Sequence, residues 1–421
     1  MNKKTASLLS LIAALMLALA GPQPVLKKAH AQGLFFGAQR WPALDVDTVD
    51  NLYLMMSTAT APASEHRPHS QIYFAMSTDS GVNWDNLPQT RNLSKSPGEA
   101  FGPSLAVTKT GKVRVYVTYH DNSNGTTQAY IISSKKRTKF RAPLLLSPHN
   151  GGAFSPRVAL NSSETVNIVW GDTQGGVAKV VFVRSTDLGL TFSEPLEVSK
   201  SSGNAFDPEI AVDSNDAINV AWQDSSPGTN VIMFSRSTDG GQTFSTPTQV
   251  STGSGNATEA AIAVDTQRRI SVSWVDESLG HAEAYYSRST DNGASFSAAI
   301  NVSNFPGGDI HKPTLATFGD TVYLAFQNGD LFGEEDIKNR QVFVAKSVNA
   351  GVTFDEAVQV STAVNSKGRA HSPAMVVDSR GKLHIAWIDA SVVGNDEGLL
   401  FYSNSVDGHR FTPEKMILAV I

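Results

Sequence analysis

The 421 residues include no cysteine, which excludes disulfide bridges and thiolate metal sites. Acidic residues outnumber basic ones by 39 to 34, and the net charge of −5 argues against a nucleic acid or an anionic membrane as partner. With 33 Gly, 19 Pro and only 17% charged residues, the composition is typical of a β protein rich in turns.

The chain begins with the pattern of a secretory signal peptide. Lys3 and Lys4 precede an apolar run from about Ala6 to Ala20, which is short for a membrane span, and small residues follow. We expect a signal peptide over residues 1–31, with cleavage after Ala20 as the alternative, and export to the periplasm, the cell surface or the medium. Residues 1–31 contain four lysines and no acidic residue, so the net charge without them is about −9. No second hydrophobic span follows, so no membrane span is expected.

One short motif, Ser-x-Asp-x-Gly-x-x-aromatic, recurs seven times. Its serines lie 56, 52, 52, 52, 58 and 58 residues apart, and a fixed period of this size built from strands predicts a propeller or solenoid. The Ser and Asp side chains can close a turn, and the Gly can adopt a positive φ. Two copies are degraded, the one at Ser133 and the one at Ser405, which is one residue shorter. All copies except that at Ser133 have Asp or Asn at the third position: Asp79, Asp187, Asp239, Asp291, Asn349 and Asp407.

Each repeat contains the same four predicted strands in the same order. The first follows a proline, which only the fifth repeat replaces, with Ala260. The second ends in an aromatic residue in six repeats, the third precedes the motif, and the fourth follows it. We predict an all-β, seven-bladed β-propeller of four-stranded antiparallel blades in one domain, residues 32–421. The expected blades are approximately 40–100, 101–153, 154–204, 205–256, 257–309, 310–369 and 370–421. Residues 33–39 are expected to help seal the ring.

The motif, at this place in the blade, resembles the Asp-box (BNR) repeat of the sialidase superfamily, and the resemblance covers essentially the whole chain after residue 31. It implies a propeller fold. Exo-sialidases of that superfamily carry six blades, an Arg-Ile-Pro motif, an arginine triad, a Tyr-Glu nucleophile pair and an Asp acid/base. This chain has seven repeats and Arg40-Trp41-Pro42 in place of Arg-Ile-Pro, and no residues match the triad, so the sialidase catalytic motif is missing.

A first ring of candidate site residues follows the second strands. Two residues after the aromatic position stand five aspartates, with Thr58 and Asn328 in the other two repeats. One interpretation is that Asp opens a turn after each strand. The alternative is that the carboxylates line the channel mouth and bind a cation or a hydroxyl-rich ligand. The five are Asp121, Asp172, Asp224, Asp276 and Asp389.

A second ring stands two residues before the proline position and differs between repeats. Repeats two to four have Phe, whereas repeats six, seven and one have His, His and Arg side by side. Such asymmetry is expected of a ligand site in a pseudo-symmetric ring, although these side chains could instead fill space between blades. The ring reads Arg40, Phe101, Phe154, Phe206, Thr258, His311 and His371. Glu259 and Glu209 fall near the same face as further carboxylate candidates.

His311 and His371, with an aspartate of the first ring, could form an open site for a divalent cation. His66-Arg-Pro-His69 is a weak metal signal in a loop, and the acidic insertion at residues 330–336 is either a lid or a solvated loop. No other cofactor is indicated.

These observations predict an exported, monomeric propeller that acts mainly as a non-catalytic scaffold for a glycan or a surface protein. One alternative is an exo-sialidase-like glycoside hydrolase. The other is a metal-dependent hydrolase or lyase that uses the His and Asp residues at the channel mouth. The sequence identifies no catalytic residues.

Overall fold

The structure is a computed structural model, and it describes residues 34–62, 69–85, 92–305, 309–329, 340–362, 369–389 and 399–417. The predicted signal peptide, His66 of the His66-Arg-Pro-His69 loop and the insertion at 330–336 lie outside these residues, as does the side chain of Arg40. In the described part of the chain, no helix is long and apolar enough to cross a membrane.

All regular elements of the described residues are strands. In chain order they are β1 (Leu34–Val46), β2 (Leu52–Pro62), β3 (His69–Ser77), β4 (Ala100–Val107), β5 (Val115–Asp121), β6 (Gln128–Lys136), β7 (Lys139–Phe140), β8 (Leu144–Leu145), β9 (Ala153–Leu160), β10 (Val166–Asp172), β11 (Lys179–Ser185), β12 (Leu196–Glu197), β13 (Ala205–Val212), β14 (Ile218–Asp224), β15 (Val231–Ser237), β16 (Thr248–Gln249), β17 (Ala257–Val264), β18 (Ile270–Asp276), β19 (Glu283–Ser289), β20 (Ile300–Asn301), β21 (Ile310–Phe318), β22 (Thr321–Asn328), β23 (Gln341–Ser347), β24 (Val358–Gln359), β25 (Ala370–Val377), β26 (Leu383–Asp389), β27 (Leu399–Ser405) and β28 (Lys415–Met416).

These strands form seven antiparallel sheets, one per repeat, which confirms the seven-bladed β-propeller. Blade 1 is β1–β3, with a single bridge from Tyr73 to Asn92 beyond β3. Blade 2 is β4–β8, in which β7 and β8 both pair with β6. Blades 3 to 7 are β9–β12, β13–β16, β17–β20, β21–β24 and β25–β28, each a four-stranded sheet in simple sequential order.

The second strand of a blade forms its core. Strands β5, β10, β14, β18 and β26 are buried at every position. This is expected where neighbouring blades cover both faces of a sheet, so that the strand reads as a nearly continuous apolar run. The indoles of Trp170, Trp222, Trp274 and Trp387 are among the largest fully buried side chains.

The Ser-x-Asp motifs form a repeated hairpin, which we call the clasp. In blade 4, the Ser237 hydroxyl donates to Asp239 Oδ1 (2.8 Å) and accepts from the Gly241 N–H (2.9 Å). The Thr243 N–H and hydroxyl both donate to the Asp239 carboxylate, at 3.0 and 2.6 Å. The same Ser-to-Asp (or Asn) and Gly-to-Ser bonds occur at Asp79, Asp187, Asp291, Asn349 and Asp407.

Each clasp also packs on the preceding blade. Gly241 has φ +82°, and a Cβ there would overlap the ring of Phe182 in blade 3. The clasp aromatic Phe244 packs edge-to-face on the same Phe182 ring, with centroids 5.2 Å apart. Blades 5 and 6 repeat this arrangement on Phe234 and Tyr286. The motif glycine is therefore required both by the positive φ and by the close approach of the neighbouring ring.

The ring closes between blades 7 and 1 through the same contact. Gly81 and Trp84 of the blade 1 clasp pack on Tyr402 of blade 7, with ring centroids 5.3 Å apart. Asp50 accepts from the Ser379 N–H across this seam (2.9 Å). Residues 34–37, expected to help seal the ring, pair with residues 59–62 of their own blade.

Candidate functional site

A central cavity of about 490 Å³ is lined by the first strands of all seven blades. The lining comes mainly from residues around the proline position, which are the third to sixth residues of the first strand in blades 2 to 7 and residues 42–44 of β1 in blade 1. In a blade built as a meander, this part of the first strand lies near the end opposite the clasps. The cavity therefore opens toward the loops, where propellers commonly present functional side chains.

A backbone irregularity sets the direction of the lining side chains. The pairing of first and second strands shifts register at the proline position in blades 2 to 7. A β-bulge of this kind re-aims side chains and is common next to active sites. The residue before the proline position has a positive φ of 48–63° in all six blades: Gly102, Ser155, Asp207, Glu259, Lys312 and Ser372.

Charged residues of the lining are concentrated in blades 3 to 6, where together with one serine they form what we call the collar. Its members are Ser155, Arg157, Asp207, Glu209, Glu259 and Lys312. Blades 7, 1 and 2 present small or apolar residues at the equivalent positions, among them Ser372, Ala374, Ala43 and Gly102. The cavity is therefore charged on one side only.

Two collar contacts join blades 3 and 4. Arg157 Nε donates to Glu209 Oε1 at 2.6 Å, and the two side chains are 27% and 29% exposed. The Ser155 hydroxyl donates to Asp207 Oδ1 at 2.7 Å. The remaining exposed surface of this ion pair faces the cavity, so the charges are held in a concave, partly desolvated setting where they interact more strongly than on an open surface.

Three further contacts join blades 5 and 6. Glu259 accepts from the Lys312 backbone N–H (2.6 Å) and pairs with the Lys312 ammonium (2.9 Å). His311 Nδ1 lies 3.7 Å from the same carboxylate. The structure thus brings together two of the predicted site residues, Glu259 and His311, and adds Lys312 to them.

The two glutamates of the collar titrate in opposite directions. Burial raises the pKa of Glu209, and the charge of Arg157 offsets this only in part. Burial would also raise the pKa of Glu259, but hydrogen bonding with His311 and the charge of Lys312 outweigh it and lower that pKa to about 2. Neighbouring blades therefore present one carboxylate that is firmly ionised and one that takes up a proton more easily.

His120 completes the lining on the uncharged side. It is 8% exposed, its Nδ1 has no hydrogen-bond partner within the described part of the chain, and its ring packs edge-on against Phe101 at 4.2 Å. Burial and the nearby charge of Arg157 lower its pKa to about 3, so the imidazole is neutral at physiological pH. A Cβ at Gly102 would lie 2.8 Å from His120 Cε1, so this glycine makes room for the ring.

The residue two positions after the proline position also borders the cavity in blades 1, 2, 5, 6 and 7. These residues belong to or pack against the hydrophobic cores between blades: Leu44, Leu105, Ile262, Leu315 and Met375.

The predicted aspartate ring lies elsewhere, buried at the ends of the second strands. Asp224 accepts from the Ser226 N–H two residues on (2.9 Å) and from the Trp222 indole (3.2 Å). Asp172 and Asp276 make the same two bonds, and Asp121 makes the first. Asp389 is also buried. These bonds are those of a turn-opening residue, and a role of this ring in ligand binding stays a prediction.

The second predicted ring borders the collar. Phe154 is 41% exposed, Phe101 and Phe206 are partly buried, and His371 Nδ1 lies 3.1 Å from the Ser372 hydroxyl. Among the residues that the structure describes, no group of three or more His, Asp or Glu side chains could hold a metal ion. A cation site at His311 and His371 stays a prediction.

Sequence reasoning missed Arg157, Lys312, Asp207 and Ser155. The alignment of the repeats on their prolines contains these residues at the positions one before and one after the proline. There, charged residues occur in blades 3 to 6, whereas the other repeats have small residues apart from Trp41.

Comparison with known proteins supports the fold. No protein-family model matches the chain, and no curated protein matches it. Among solved structures, an ulvan lyase of polysaccharide lyase family 25, bound to -[GlcA(1-4)Rha3S]-, is 11% identical with a TM-score of 0.58, covering 88% of this chain and 95% of that one. A protein of unknown function from Dyadobacter fermentans is 16% identical, with a TM-score of 0.53 over 89% of this chain and 95% of its own. The Hadza microbial sialidase Hz136 is 13% identical, with a TM-score of 0.51 over 84% and 76%. At these identities the likeness establishes the fold, a β-propeller shared with a sialidase and a polysaccharide lyase.

Proposed function

We propose that this protein binds a saccharide at the collar of its central channel. The observation that carries the proposal is the concentration, on one side of a 490 Å³ cavity, of charged side chains that retain hydrogen-bonding capacity. The volume lies within the range of small-molecule sites, about 300–1,000 Å³.

The hydrogen-bonding groups of the collar that remain available include both donors and acceptors. Arg157 uses Nε and Nη1 for Glu209 and the Pro156 carbonyl, which leaves Nη2 without a partner among the described residues. The Lys312 ammonium has three N–H groups and one carboxylate partner there, Glu259. Asp207 and Glu209 each have one carboxylate oxygen that accepts no bond within the same described residues.

A sugar ring satisfies such a set because each hydroxyl both donates and accepts. Its hydroxyls can donate to Asp207 and Glu209 and accept from Arg157 and Lys312. The cations and carboxylates are already paired with each other, so the collar does not require a charged ligand. An aromatic side chain at the rim, Phe154, offers an apolar face of the kind on which a sugar can pack.

The proposal agrees with the names of two proteins that share the fold, a sialidase and a polysaccharide lyase bound to a glucuronate–rhamnose 3-sulfate unit. The proposal does not depend on these proteins, because a likeness at 11–13% identity establishes the fold and does not identify the ligand.

The test is saccharide binding by the purified protein, screened on a glycan array and quantified by titration calorimetry. Arg157→Met is expected to weaken binding about tenfold or more, since it removes a charged hydrogen-bond donor from the site. The matched control is Arg114→Met, because Arg114 pairs with Glu164 between blades 2 and 3 but does not line the cavity. Failure of the wild-type protein to bind any saccharide, or equal losses in the two variants, would contradict the proposal.

A glycoside hydrolase is the second candidate, favoured by the opposite pKa shifts of Glu209 and Glu259. Glycoside hydrolysis uses one carboxyl group that holds a proton and one that stays ionised. In this reading Glu209 is the acid and Glu259 the ionised partner, with the Arg157 contact weighing against protonation of Glu209.

Hydrolysis of fluorogenic glycosides, including a sialoside, tests this candidate, with and without added Ca²⁺ or Zn²⁺. Turnover that is lost in both Glu209→Gln and Glu259→Gln but kept in Arg114→Met would establish an enzyme. Absence of turnover in every condition would exclude the hydrolase and leave saccharide binding as the proposed function.

We also infer export from the pattern of residues 1–31, which lie outside the described part of the chain. Fractionation of cells that express the full sequence tests this, with full-length protein retained in the cytoplasm as the contrary result.

A further inference from the structure

Blade 2 is basic in an otherwise acidic molecule. Over β4–β8, residues 100–145, it has eight basic residues and one acidic residue, Asp121, which leaves 26 of the 34 basic and 38 of the 39 acidic residues to the rest of the chain. The basic residues occur in two stretches, the turn between β4 and β5 and the hairpin of β6 and β7 with the residue after it. They are Lys109, Lys112, Arg114, Lys135, Lys136, Arg137, Lys139 and Arg141.

Both stretches lie at the clasp end of the blade. The hairpin is the degraded copy of the motif, in which Lys135 and Arg137 stand where the clasps have Asp and Gly. The start of β5 lies beside the end of β6, since Tyr116 pairs with Ser133. The turn before β5 and the hairpin after β6 are therefore neighbours. Asp121 is buried at the other end of β5, away from both.

Four of these lysines have no anionic partner. The other four basic side chains bond within the protein, in the contacts Lys109–Asp45, Arg137–Asp47, Arg114–Glu164 and Arg141–Ser133. The remaining four are exposed, and none has an ion pair or a side-chain hydrogen bond within the described part of the chain. We call them the lysine patch: Lys112, Lys135, Lys136 and Lys139.

The fold does not require the lysine patch. Like charges held close together repel one another, so the patch is unfavourable in the free protein. The other blades close the same hairpin with Asp or Asn in place of Lys135. An anion bound along the end of blade 2 would remove the repulsion, so the patch has the properties of a site for an external anion.

The neighbouring clasps limit the shape of that anion. Five of them carry an exposed or partly exposed carboxylate on the same face, and hydrogen bonds within each clasp lower the pKa of the carboxyl group, so it is ionised at neutral pH. These are Asp79, Asp187, Asp239, Asp291 and Asp407. A broad anionic surface such as a membrane would meet these carboxylates together with the patch. A narrow chain can lie on blade 2 alone.

The chemistry of the patch favours one kind of narrow polyanion. Its cations are ammonium groups, which attract any anionic group and lack the planar geometry with which arginine binds phosphate in two places. The one aromatic residue of the hairpin, Phe140, packs edge-to-face on Phe74 with centroids 5.1 Å apart, so it is not presented as a platform for a nucleic-acid base. The sulfate and carboxylate groups of a polysaccharide need neither feature.

We propose that the lysine patch binds an acidic polysaccharide, one that carries sulfate or uronate groups along its chain. This site is separate from the collar, which lies near the opposite end of the blades. The proposal therefore does not depend on the saccharide-binding function proposed for the collar.

The test is binding of two charged polymers, dextran sulfate for sulfate groups and polygalacturonate for carboxylates, with unmodified dextran as the uncharged control. Titration calorimetry is carried out at several salt concentrations. We expect the wild-type protein to bind at least one charged polymer far more tightly than dextran. The affinity should fall steeply as salt is added, because binding releases counterions from the polyanion and salt opposes that release.

A triple variant removes three charges of the patch and should weaken binding about tenfold or more: Lys135→Gln, Lys136→Gln and Lys139→Gln. Replacement of the same three lysines by arginine keeps the charge and should retain binding. Urea unfolding of each variant shows that it is folded.

The matched control makes the same change in net charge at exposed lysines outside blade 2, and it should stay within about twofold of wild type because distant charges are screened by salt. Its substitutions are Lys95→Gln, Lys200→Gln and Lys415→Gln. Equal losses in the two glutamine triples would show that only the net charge matters and would overturn the proposal.

Three further outcomes overturn it. They are no binding of either charged polymer, dextran bound as tightly as dextran sulfate, and tighter binding of duplex DNA or of phosphatidylserine vesicles than of both charged polymers. The collar is measured separately with uncharged saccharides. Binding of those by the glutamine triple of the patch would leave the function proposed for the collar intact, whichever way the polyanion experiment ends.

Discussion

The clasps and the collar are both built once per blade, yet they differ in how strictly they repeat. The clasps make the same bonds in six of seven blades, and Asn349 replaces Asp without changing them. At the collar positions, by contrast, Ser155, Asp207, Glu259 and Lys312 succeed one another in consecutive blades. Repetition of a contact is expected where every blade must solve the same packing problem. Variation within the same frame is expected where one ligand must be bound, since a single ligand cannot match seven identical side chains.

The largest expected effect concerns the clasp. Gly241→Ala should destabilise the protein by at least about 3 kcal/mol, because the new Cβ overlaps Phe182 in addition to the strain of a positive φ. Gly228→Ala in the same blade is the control: its φ is +97°, but no atom lies within 4 Å of the added Cβ. The control should lose only about 1 kcal/mol. Urea unfolding measures both, and equal losses would show that the inter-blade contact does not matter.

Acid should weaken the clasp between blades 7 and 1. His384 is fully buried, with Nδ1 2.6 Å from the Tyr402 hydroxyl and Nε2 3.4 Å from Asp378, and burial lowers its pKa from 6.5 to about 4. The unfolded chain therefore takes up this proton at a higher pH than the folded chain. The contribution of neutral His384 to the free energy of unfolding is therefore fully present above about pH 6.5. It is lost as the pH falls toward 4, and the total loss is about 3 kcal/mol.

His384→Asn should remove this part of the pH dependence, because it removes the titrating imidazole. The fold should accept Asn there, because blades 3 and 4 have Asn167 and Asn219 at the equivalent position. The measurement is the urea midpoint at pH 7 and pH 5 for both proteins. His409→Asn is the control, because the His409 side chain is 42% exposed. Parallel pH profiles for wild type and His384→Asn would contradict the prediction.

The collar should matter less to stability than the clasps do. The double variant Arg157→Ser, Glu209→Ala should stay within about 1 kcal/mol of wild type, because replacing both members of a partly desolvated ion pair is often neutral. Blades 2 and 5 already have Ser104 and Ala261 at these positions. Glu209→Ala alone should be less stable than the double variant, since it leaves Arg157 unpaired. A large loss in the double variant would assign the collar to the scaffold.

The smallest effect is expected for Asp239→Asn. In blade 6, Asn349 accepts from the Ser347 hydroxyl and the Thr353 N–H, as the aspartates do elsewhere. Differential scanning calorimetry should therefore find the Tm within about 1 °C of wild type. Asp239→Ala, which removes the acceptor, should lower the Tm several times more. A similar loss in both variants would mean that the charge, and not the bond geometry, stabilises the clasp.

The site was accessible from the sequence only in part. Aligning repeats on their prolines singles out Glu259, which lines the cavity, and His311, which lies beside it, and it indicates a difference between blades. The same alignment does not reveal that the residue before the proline has a positive φ, since that position ordinarily favours extended backbone. The sequence therefore predicts regular strand at Asp207 and Lys312 and does not predict the bulge that turns them toward the cavity.

The sequence by itself determined the number of blades, the order of their strands and the position of every clasp, because these depend on contacts within one repeat or on a motif that recurs. The tertiary structure alone decided which side chains line the channel and how they are paired. Arg157 with Glu209, and Glu259 with Lys312, are about one blade apart in the chain, and they meet only after the ring has formed. Their pKa values and their free hydrogen-bonding groups are properties of that closed ring.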